Sequence, residues 1–236
     1  MRECAQFKKL RSAHDGAFAW GKIKPVVFDR ADTCGKSSGH YFHQDLLVAR
    51  RIFAAKPKVH VDIGSRMDGF VAHVASYREL YVLDIRAIES HVPNVTFKQC
   101  DILGEIPTEL VNFSDSVSCL HALEHFGLGR YGDPLQYDGH LRGFANLGRI
   151  LQPGGALYLS VPIGPQRIEF NAHRVFSVRY LLSLLSDQYT VERFSYVDDR
   201  GDMHEDVALS DEAVDSSFGC RYGCGIFELR KATGSM

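Results

Sequence analysis

The segment VHVDIGSRMDGF, Val59 to Phe70, is the part of the sequence that decides the fold. Its first five residues, Val59–Ile63, are a short apolar run, which predicts a buried β-strand. The glycines that follow predict a loop, and Phe70 opens a stretch with helical spacing. A buried strand that leads through a glycine loop into a helix is typical of α/β folds that bind a ligand at the end of the strand.

The same alternation of strand and helix continues along the chain. Short apolar runs predict strands at 59–63, 80–85, 95–99, 115–120, 156–161, 189–196 and 226–229. Helical spacing predicts helices at 41–53, 70–77, 140–151 and 178–185. This order predicts a Rossmann-like, doubly wound α/β fold with a mostly parallel sheet. The two strands after the last helix predict a hairpin, and with it an antiparallel edge strand.

The length and the charge of the chain restrict its organisation and its partners. The 236 residues fit a single domain, 1–236, with an N-terminal arm at 1–40, an α/β core at 41–236 and an acidic loop at 198–220. The net charge of −2 argues against a dedicated nucleic-acid-binding protein. We find no membrane-spanning run and no apolar signal segment. The sequence leaves the oligomeric state open.

The six cysteines are scattered through the sequence, which favours a reduced, cytoplasmic protein over a disulfide framework. Only Cys220 and Cys224 are close together, with the spacing C-x-x-x-C. A zinc site there would need two further ligands from elsewhere in the chain, so ordinary buried thiols are the favoured interpretation.

Three acidic residues lie at or just after the ends of successive predicted strands. Asp62 precedes the glycine loop, Asp84 closes the second strand and Asp101 follows the third. In open α/β sheets ligands bind outside the carboxyl ends of the strands. A carboxylate at Asp84 suits the two hydroxyls of a ribose, and one at Asp101 suits an exocyclic amine such as that of adenine. Each acid alone could instead be a turn former or a helix cap.

Two further segments complete a pattern that resembles a known superfamily. The segments are DSVSCLHALEH, Asp115–His125, and LQPGG, Leu151–Gly155. Together with the strand-end acids they resemble the class I S-adenosylmethionine-dependent methyltransferases across residues 41–197. The segments GHYFHQDLL, HVDIGSRMDGF, SCLHALEHFGLGRYGD and FNAHRVFS more narrowly resemble a methyltransferase-like family known chiefly as a domain of unknown function. Some members of that family are associated with surface-polysaccharide biosynthesis.

The resemblance implies the class I methyltransferase fold, S-adenosylmethionine as cofactor and S-adenosylhomocysteine as product. The cofactor-binding residues that it implies are Asp62, Gly64, Ser65, Arg66, Asp84, Ile85, Asp101, Ile102 and His121. On the helix before the first strand, Tyr41 or Gln44 could contact the methionyl end, although an amphipathic helix packed on the sheet is the favoured interpretation.

The glycine loop departs from the usual pattern of this superfamily, which is acidic-x-G-x-G-x-G. Asp62 and Gly64 match it, whereas Arg66 and Asp68 replace the second and third glycines. Arg66 could pair with the carboxylate of the cofactor. Alternatively, Arg66 is a surface side chain and Asp68 caps the next helix, or the loop has lost its ligand. Neither G-x-G-x-x-G nor a Walker loop occurs, which argues against nicotinamide and nucleoside triphosphates.

The candidate catalytic residues are His125 and His173, each a possible general base for a hydroxyl proton. Glu124 or Asp133 could orient the imidazole. Each histidine could instead be a structural hydrogen-bonding residue. The same four side chains could bind a divalent metal, which we leave unassigned.

The candidate acceptor-binding residues are Arg130, Tyr131, Asn171 and Arg174. Their guanidinium, hydroxyl and amide groups suit a polyhydroxylated acceptor, and Arg130 could alternatively pair with Asp133. We therefore expect a methyltransferase that O-methylates a sugar or a glycan precursor. The alternatives are a catalytically silent cofactor-binding or scaffold protein, which Arg66 and Asp68 would favour, and a methyltransferase for a non-sugar small molecule or a protein.

Overall fold

The computed structural model describes residues 2–12, 18–26, 28–35, 37–89 and 91–234. It divides into two compact units, Met1–Lys36 and Ser37–Met236. The first unit contains helix α1 (Arg2–Ser12). The sequence predicted no periodic structure in this arm, and the helix corrects that prediction. Its apolar residues Cys4, Phe7 and Leu10 recur every third position, a stripe too short to be conclusive in the sequence.

The second unit is built on a sheet of eight strands. The strands of this unit are β1 (His60–Ile63), β2 (Leu80–Asp84), β3 (Val95–Gln99), β4 (Ser114–Leu120), β5 (Leu151–Ile163), β6 (Arg167–Glu169), β7 (His173–Val175), β8 (Tyr189–Val197), β9 (Met203–His204) and β10 (Gly223–Lys231). The order in the sheet is β3-β2-β1-β4-β5-β10-β8-β9, while β6 and β7 form a separate hairpin. Strands β1 to β5 pair in parallel, and β10 pairs antiparallel with both β5 and β8.

Helices cover both faces of this sheet. They are α2 (His40–Ala55), α3 (Ala72–Ala75), α4 (Gly139–Ile150), α5 (Val178–Leu185) and α6 (Asp211–Asp215). One apolar cluster buries α2 and α3 against the sheet, and a second buries α4 and α5. The alternation predicted from the sequence therefore gives a doubly wound, mostly parallel sheet, and the predicted antiparallel strands at one end are confirmed.

Most predicted elements are present, with three differences. The helix expected at 70–77 is a π-type turn, Met67–Val71, followed by the single turn α3, because Gly69 adopts non-helical angles. The hairpin of β6 and β7 was not predicted. The segment 198–220 is not simply an acidic loop, since it contains β9 and α6 and buries Val214 in the core. Among the described residues, no helix is both long and apolar enough to cross a bilayer.

Candidate cofactor and acceptor site

Two adjoining cavities lie at the carboxyl ends of the parallel strands. The first, which we call the strand-end cavity, is lined by residues that follow β1, β2, β3 and β4. The second, which we call the Tyr41 cavity, is lined by residues of α2, of the loop after β1 and of the loop after β4. Gly64, Arg86, His121 and Tyr131 line both cavities, so these four residues form the boundary between them.

Gly64, one of these boundary residues, has a backbone conformation that favours glycine. Its φ of +75° is a left-handed conformation that favours glycine. A Cβ atom there would lie 3.0 Å from the Cβ of Ala122, tighter than an ordinary contact. The Gly64 amide donates a hydrogen bond to the Leu83 carbonyl at 3.0 Å, which fixes the loop against β2. The predicted glycine loop is therefore present, and its first glycine is required by the backbone.

Asp62 stabilises the glycine loop from within the protein core. It is fully buried and lines neither cavity. Its carboxylate accepts hydrogen bonds from the Ser65 amide at 3.1 Å, the Ser65 hydroxyl at 2.8 Å and the Ser118 hydroxyl at 2.6 Å. Burial raises the pKa of Asp62 to about 6 in spite of these bonds. Asp62 therefore stabilises the loop through its hydrogen bonds. Of Asp62 and Ser65, only Ser65 lines the Tyr41 cavity.

Arg66 and Asp68 form an exposed ion pair with an Nη2–Oδ2 distance of 2.8 Å. Asp68 gives no side-chain cap to the following turn, which corrects the expectation of an N-cap; Arg66 occupies the cap position through its backbone. The pairing raises the pKa of Arg66 and lowers that of Asp68. Arg66 still lines the Tyr41 cavity, so its side chain covers the rim of the loop.

Asp84 lines the strand-end cavity, and its carboxylate accepts hydrogen bonds from Arg86. The Arg86 amide and Nε donate to Oδ1 at 2.8 and 2.9 Å, and Nη2 donates to Oδ2 at 2.7 Å. The Arg86 guanidinium also lies over the Tyr131 ring, 4.5 Å from its centre. Sequence reasoning missed Arg86, although its spacing of two residues from the strand-end acid is a signal for such a local pair.

The remaining predicted cofactor residues form the far wall of the strand-end cavity. Asp101 accepts a hydrogen bond from the Leu103 amide at 2.9 Å, so one of its oxygens organises the turn after β3. Ile85 and Ile102 add apolar surface to the same wall. Asn146 on α4 donates to the Ile102 carbonyl at 2.8 Å and thereby anchors this turn to the core.

His121 and Glu124 are a buried pair at the start of the loop after β4. Nδ1 of His121 lies 2.7 Å from Oε1 of Glu124. Burial opposes the charge of His121, but the neighbouring Cys224 and Glu124 outweigh burial and raise its pKa well above the usual value. Burial likewise opposes the charge of Glu124, and His121 outweighs it, which lowers the pKa of Glu124. The pair is thus stabilised in its charged form.

His125 lines the strand-end cavity and has one ring nitrogen engaged by the backbone. Its Nδ1 lies 2.7 Å from the Ala172 carbonyl, so this nitrogen carries a proton and donates it. Nε2 then has a free lone pair in the neutral ring, and it lies 3.6 Å from Oε1 of Glu124. Burial lowers the pKa of His125, which favours that neutral form. The arrangement suits a general base oriented by its neighbours.

His173 and Asn171 lie on the β6–β7 hairpin and line neither cavity. Nε2 of His173 is 3.1 Å from Oε2 of Glu169, and its ring packs against Tyr222 with 5.0 Å between ring centres. Asn171 is exposed. The turn between β6 and β7 therefore meets His125 through the Ala172 carbonyl, whereas the side chains of Asn171 and His173 do not line the cavity that His125 lines.

Asp133 and Arg174 stabilise the loop that follows β4, which corrects the roles predicted for them. Asp133 accepts hydrogen bonds from the amides of Gly127, Gly129 and Tyr131 and orients no histidine. Arg174 is buried and donates to three backbone carbonyls. These are the carbonyls of Glu124 at 3.4 Å, Phe126 at 2.6 Å and Tyr137 at 3.0 Å. Burial lowers the pKa of Arg174.

Arg130 and Tyr131, in contrast, do line the Tyr41 cavity. Nη1 of Arg130 donates to the Ala172 carbonyl at 2.7 Å, so it is tied to the same carbonyl as His125 rather than to Asp133. Tyr41 and Gln44 of α2 line the opposite side of this cavity. Within the described residues, Glu124, His125, Asp133 and His173 form no cluster of metal-ligand atoms, which corrects the metal alternative for that set.

A family model described as "Caenorhabditis protein of unknown function, DUF268" matches residues 99–217, half of the chain. The match includes the loop after β4 and the β6–β7 hairpin. No curated protein sequence matches this chain.

Several solved structures share the fold. The 1,6-didemethyltoxoflavin-N1-methyltransferase of Burkholderia thailandensis, crystallised with 1,6-didemethyltoxoflavin and S-adenosylhomocysteine, is 16% identical with a TM-score of 0.56, over 80% of this chain and 78% of that one. The N-methyltransferase NodS of Bradyrhizobium japonicum, in complex with S-adenosylhomocysteine, is 14% identical with a TM-score of 0.51, over 82% and 88%. The [4+2]-cyclase SpnF is 15% identical with a TM-score of 0.56, over 81% and 82%. At these identities the likeness establishes the class I methyltransferase fold.

Proposed function

The chain belongs to the DUF268 family, and from its class I methyltransferase fold and its strand-end cavities we propose that it is an S-adenosylmethionine-dependent methyltransferase. The observation that carries the proposal is the pair of cavities that meet at Gly64 and His121. A nucleoside linked to an amino acid needs two such compartments joined at a narrow boundary.

The lining residues fit the two parts of this cofactor. Asp84 offers a carboxylate for the ribose, and Ile85 and Ile102 offer apolar walls for an adenine. In the Tyr41 cavity, Arg66 offers a guanidinium for the cofactor carboxylate. Gly64 lies at the boundary, and a Cβ atom there would meet Ala122, which lines the strand-end cavity.

We take the acceptor to be a hydroxyl of a sugar or of a glycan precursor. The Tyr41 cavity supports this choice because polar side chains dominate its lining, among them Tyr41, Gln44, Arg130 and Tyr131. Hydroxyl, amide and guanidinium groups form hydrogen bonds with several hydroxyls of one ring at the same time. An acceptor with a large aromatic body would require an apolar lining instead.

When bound, S-adenosylmethionine supplies an electrophilic methyl group. His125 lines the strand-end cavity against Tyr131, which lines both cavities, so it acts as the general base for an acceptor hydroxyl that reaches this boundary from the Tyr41 cavity. Its Nδ1 donates to the Ala172 carbonyl and leaves Nε2 free to accept the hydroxyl proton. Glu124, 3.6 Å from Nε2, stabilises the imidazolium that results. Arg174 and Asp133 hold the loop that carries His125 and thus act as positioning residues.

A second candidate is a catalytically silent, ligand-binding protein on the same fold. The Asp84–Arg86 pair favours it, because both carboxylate oxygens that would serve a ribose already accept from Arg86. Binding of the cofactor would then require Arg86 to yield at least one of these bonds.

Calorimetric titration with S-adenosylmethionine and S-adenosylhomocysteine tests the first proposal, with Asp84→Asn as the variant. Hydrogen bonds to a charged group contribute about 1.5–3 kcal/mol, so we expect binding that weakens by about 10- to 150-fold in the variant. Asp215→Asn is the matched control, since Asp215 also pairs with an arginine but lies on α6 outside both cavities. No binding of either ligand to the wild-type protein would overturn the proposal.

If the cofactor binds, formation of S-adenosylhomocysteine is measured with sugar nucleotides and oligosaccharides as acceptors. His125→Gln should reduce turnover by about 100-fold or more, a larger factor than its effect on the dissociation constant of the cofactor, whose cavity His125 also lines. Cofactor binding without turnover of any polar or apolar acceptor would favour the silent protein.

A further inference from the structure

A cluster of three metal-ligand side chains lies beside the Tyr41 cavity. We call His40, His121 and Cys224 the His-His-Cys cluster. Their nearest donor atoms all lie within 4.8 Å of one another. The three residues come from the first turn of α2, the loop after β4 and strand β10, so the fold alone brings them together.

His121 has one ring nitrogen in use and one without a partner. Nδ1 is engaged by Glu124 at 2.7 Å, whereas Nε2 is buried and makes no hydrogen bond. A buried polar nitrogen without a partner is costly, and native structures rarely retain one without a reason. A carboxylate on the far nitrogen of a histidine is also the usual second partner of a metal-binding imidazole.

His40 is partly buried beside His121. Its ring packs against Tyr222, with 5.5 Å between ring centres. The His40 and His121 rings are nearly parallel, with an interplanar angle of 11° and 5.2 Å between their centres. The two imidazoles are therefore stacked, and their nitrogens lie close to each other and to Sγ of Cys224.

Cys224 supplies a soft sulfur ligand. Its side chain is fully buried, and Sγ lies 3.7 Å from Oε1 of Gln44, a weak contact. That amide oxygen already accepts a short hydrogen bond of 2.6 Å from the Ser160 hydroxyl. The thiol thus has no strong partner other than the two histidines.

We propose that the His-His-Cys cluster binds a zinc ion through one nitrogen of His40, Nε2 of His121 and Sγ of Cys224. The zinc would displace the Nε2 proton of the charged His121 and the thiol proton of Cys224, since these ligands bind metal in their deprotonated forms. Zinc prefers imidazole and thiolate ligands, and three protein ligands with one open position is the pattern of catalytic rather than structural sites. In a tetrahedral site the ligand atoms would be roughly 3.3–3.6 Å apart. The donors therefore need to close by roughly 1 Å, which small side-chain rotations supply.

Of the three proposed ligands, His121 lines the Tyr41 cavity, so the cluster adjoins the space of the proposed acceptor. A ligand in the fourth position, a water molecule or a heteroatom of the acceptor, would therefore come from the same space as the proposed acceptor. The metal site stands on the cluster alone, whereas this use of the open position rests on the proposed methyltransferase function.

Metal analysis of the purified full-length chain and titration with Co²⁺ test the proposal. We expect about one equivalent of zinc per chain and, after exchange, the sulfur-to-cobalt charge-transfer absorption of a thiolate ligand. Cys224→Ser should lose the absorption. Cys220→Ser is the matched control, because Cys220 is also buried but lies outside the cluster, and it should keep the absorption.

Glu124→Gln tests the second partner of His121 without removing a ligand. Zinc affinity, measured by competition with a chelator, should fall by about 10- to 100-fold. Circular dichroism of each variant separates loss of a ligand from loss of the fold. Absence of zinc together with no charge-transfer absorption in the wild-type chain would overturn the proposal, as would a band that survives in Cys224→Ser. These measurements need neither cofactor nor turnover, so they can fail independently of the methyltransferase proposal.

Discussion

The buried imidazole of His60 should make the free energy of unfolding depend on pH, with a sign and a size that follow from its contacts. Its Nδ1 lies 2.9 Å from the Ser116 hydroxyl and its Nε2 lies 3.1 Å from the Ser118 hydroxyl. Ser118 donates its own proton to Asp62, so Nε2 must donate to Ser118, and Nδ1 accepts from Ser116. These hydrogen bonds require the neutral form of the His60 imidazole.

Burial lowers the pKa of His60 from 6.5 to about 3. In the unfolded chain the ring titrates near its usual value, so below pH 6.5 the unfolded state binds more protons than the native state. The native state therefore loses stability as the pH falls, by about 1.4 kcal/mol per pH unit between the two pKa values. At pH 5 the loss due to this one ring is about 2 kcal/mol.

Urea unfolding followed by circular dichroism at pH 7, 6 and 5 measures this effect. His60→Gln keeps one donor and one acceptor but cannot titrate in this range. We expect the variant to be less stable at pH 7 because the hydrogen bonds fit less well, and the deficit to shrink by about 2 kcal/mol at pH 5. His91→Gln is the control for the same substitution at an exposed position. A deficit that stays constant across this range would refute the reasoning.

Three further substitutions test the loop and its supports. Gly64→Ala should destabilise the protein by about 1–3 kcal/mol and weaken binding of S-adenosylhomocysteine, because φ is +75° and the new Cβ meets Ala122. Gly132→Ala is the control, since Gly132 also has a positive φ but its Cβ would lie in open space. This variant should destabilise the protein without changing the binding of S-adenosylhomocysteine. Asp62→Asn should have the opposite pH dependence to His60, because the carboxyl pKa is raised to about 6 and charge on Asp62 costs stability as the pH rises. In urea titrations the variant should gain about 2 kcal/mol relative to wild type between pH 4 and 7. A pH-independent difference would contradict this. In Arg174→Lys the ammonium group cannot reach all three carbonyls. We expect the free energy of unfolding to fall by about 1–3 kcal/mol and protease cleavage within residues 126–137 to increase. Unchanged cleavage would mean that the loop does not depend on Arg174.

The parallel sheet and the strand-end residues could be predicted from the sequence because their signals are local. A strand of four residues with an acid and a glycine after it is recognisable wherever it occurs, and Asp84 and Asp101 do line the strand-end cavity. The π-type turn after Arg66 was missed because Gly69 interrupts a helical pattern without changing its apolar spacing.

The side-chain partners could not be predicted, because they depend on segments that lie far apart in the chain. Arg174 was expected to bind an acceptor, but in the folded hairpin its guanidinium donates hydrogen bonds to three backbone carbonyls. Likewise, no spacing rule relates His40 to Cys224, which are brought together by the helix before β1 and the last strand of the sheet.

Strand β10 pairs between β5 and β8, although it follows both of them in the chain. During synthesis, β5 and β8 therefore emerge from the ribosome well before the strand that joins them, and each exposes an edge of unpaired backbone groups until β10 arrives. The nascent chain thus has two unpaired strand edges until β10 inserts between them. This insertion is late and forms contacts far apart in the sequence, and such steps are slow in folding. Because Cys224 lies on β10, the same insertion completes the His-His-Cys cluster, so a chain that has not finished folding cannot assemble that cluster.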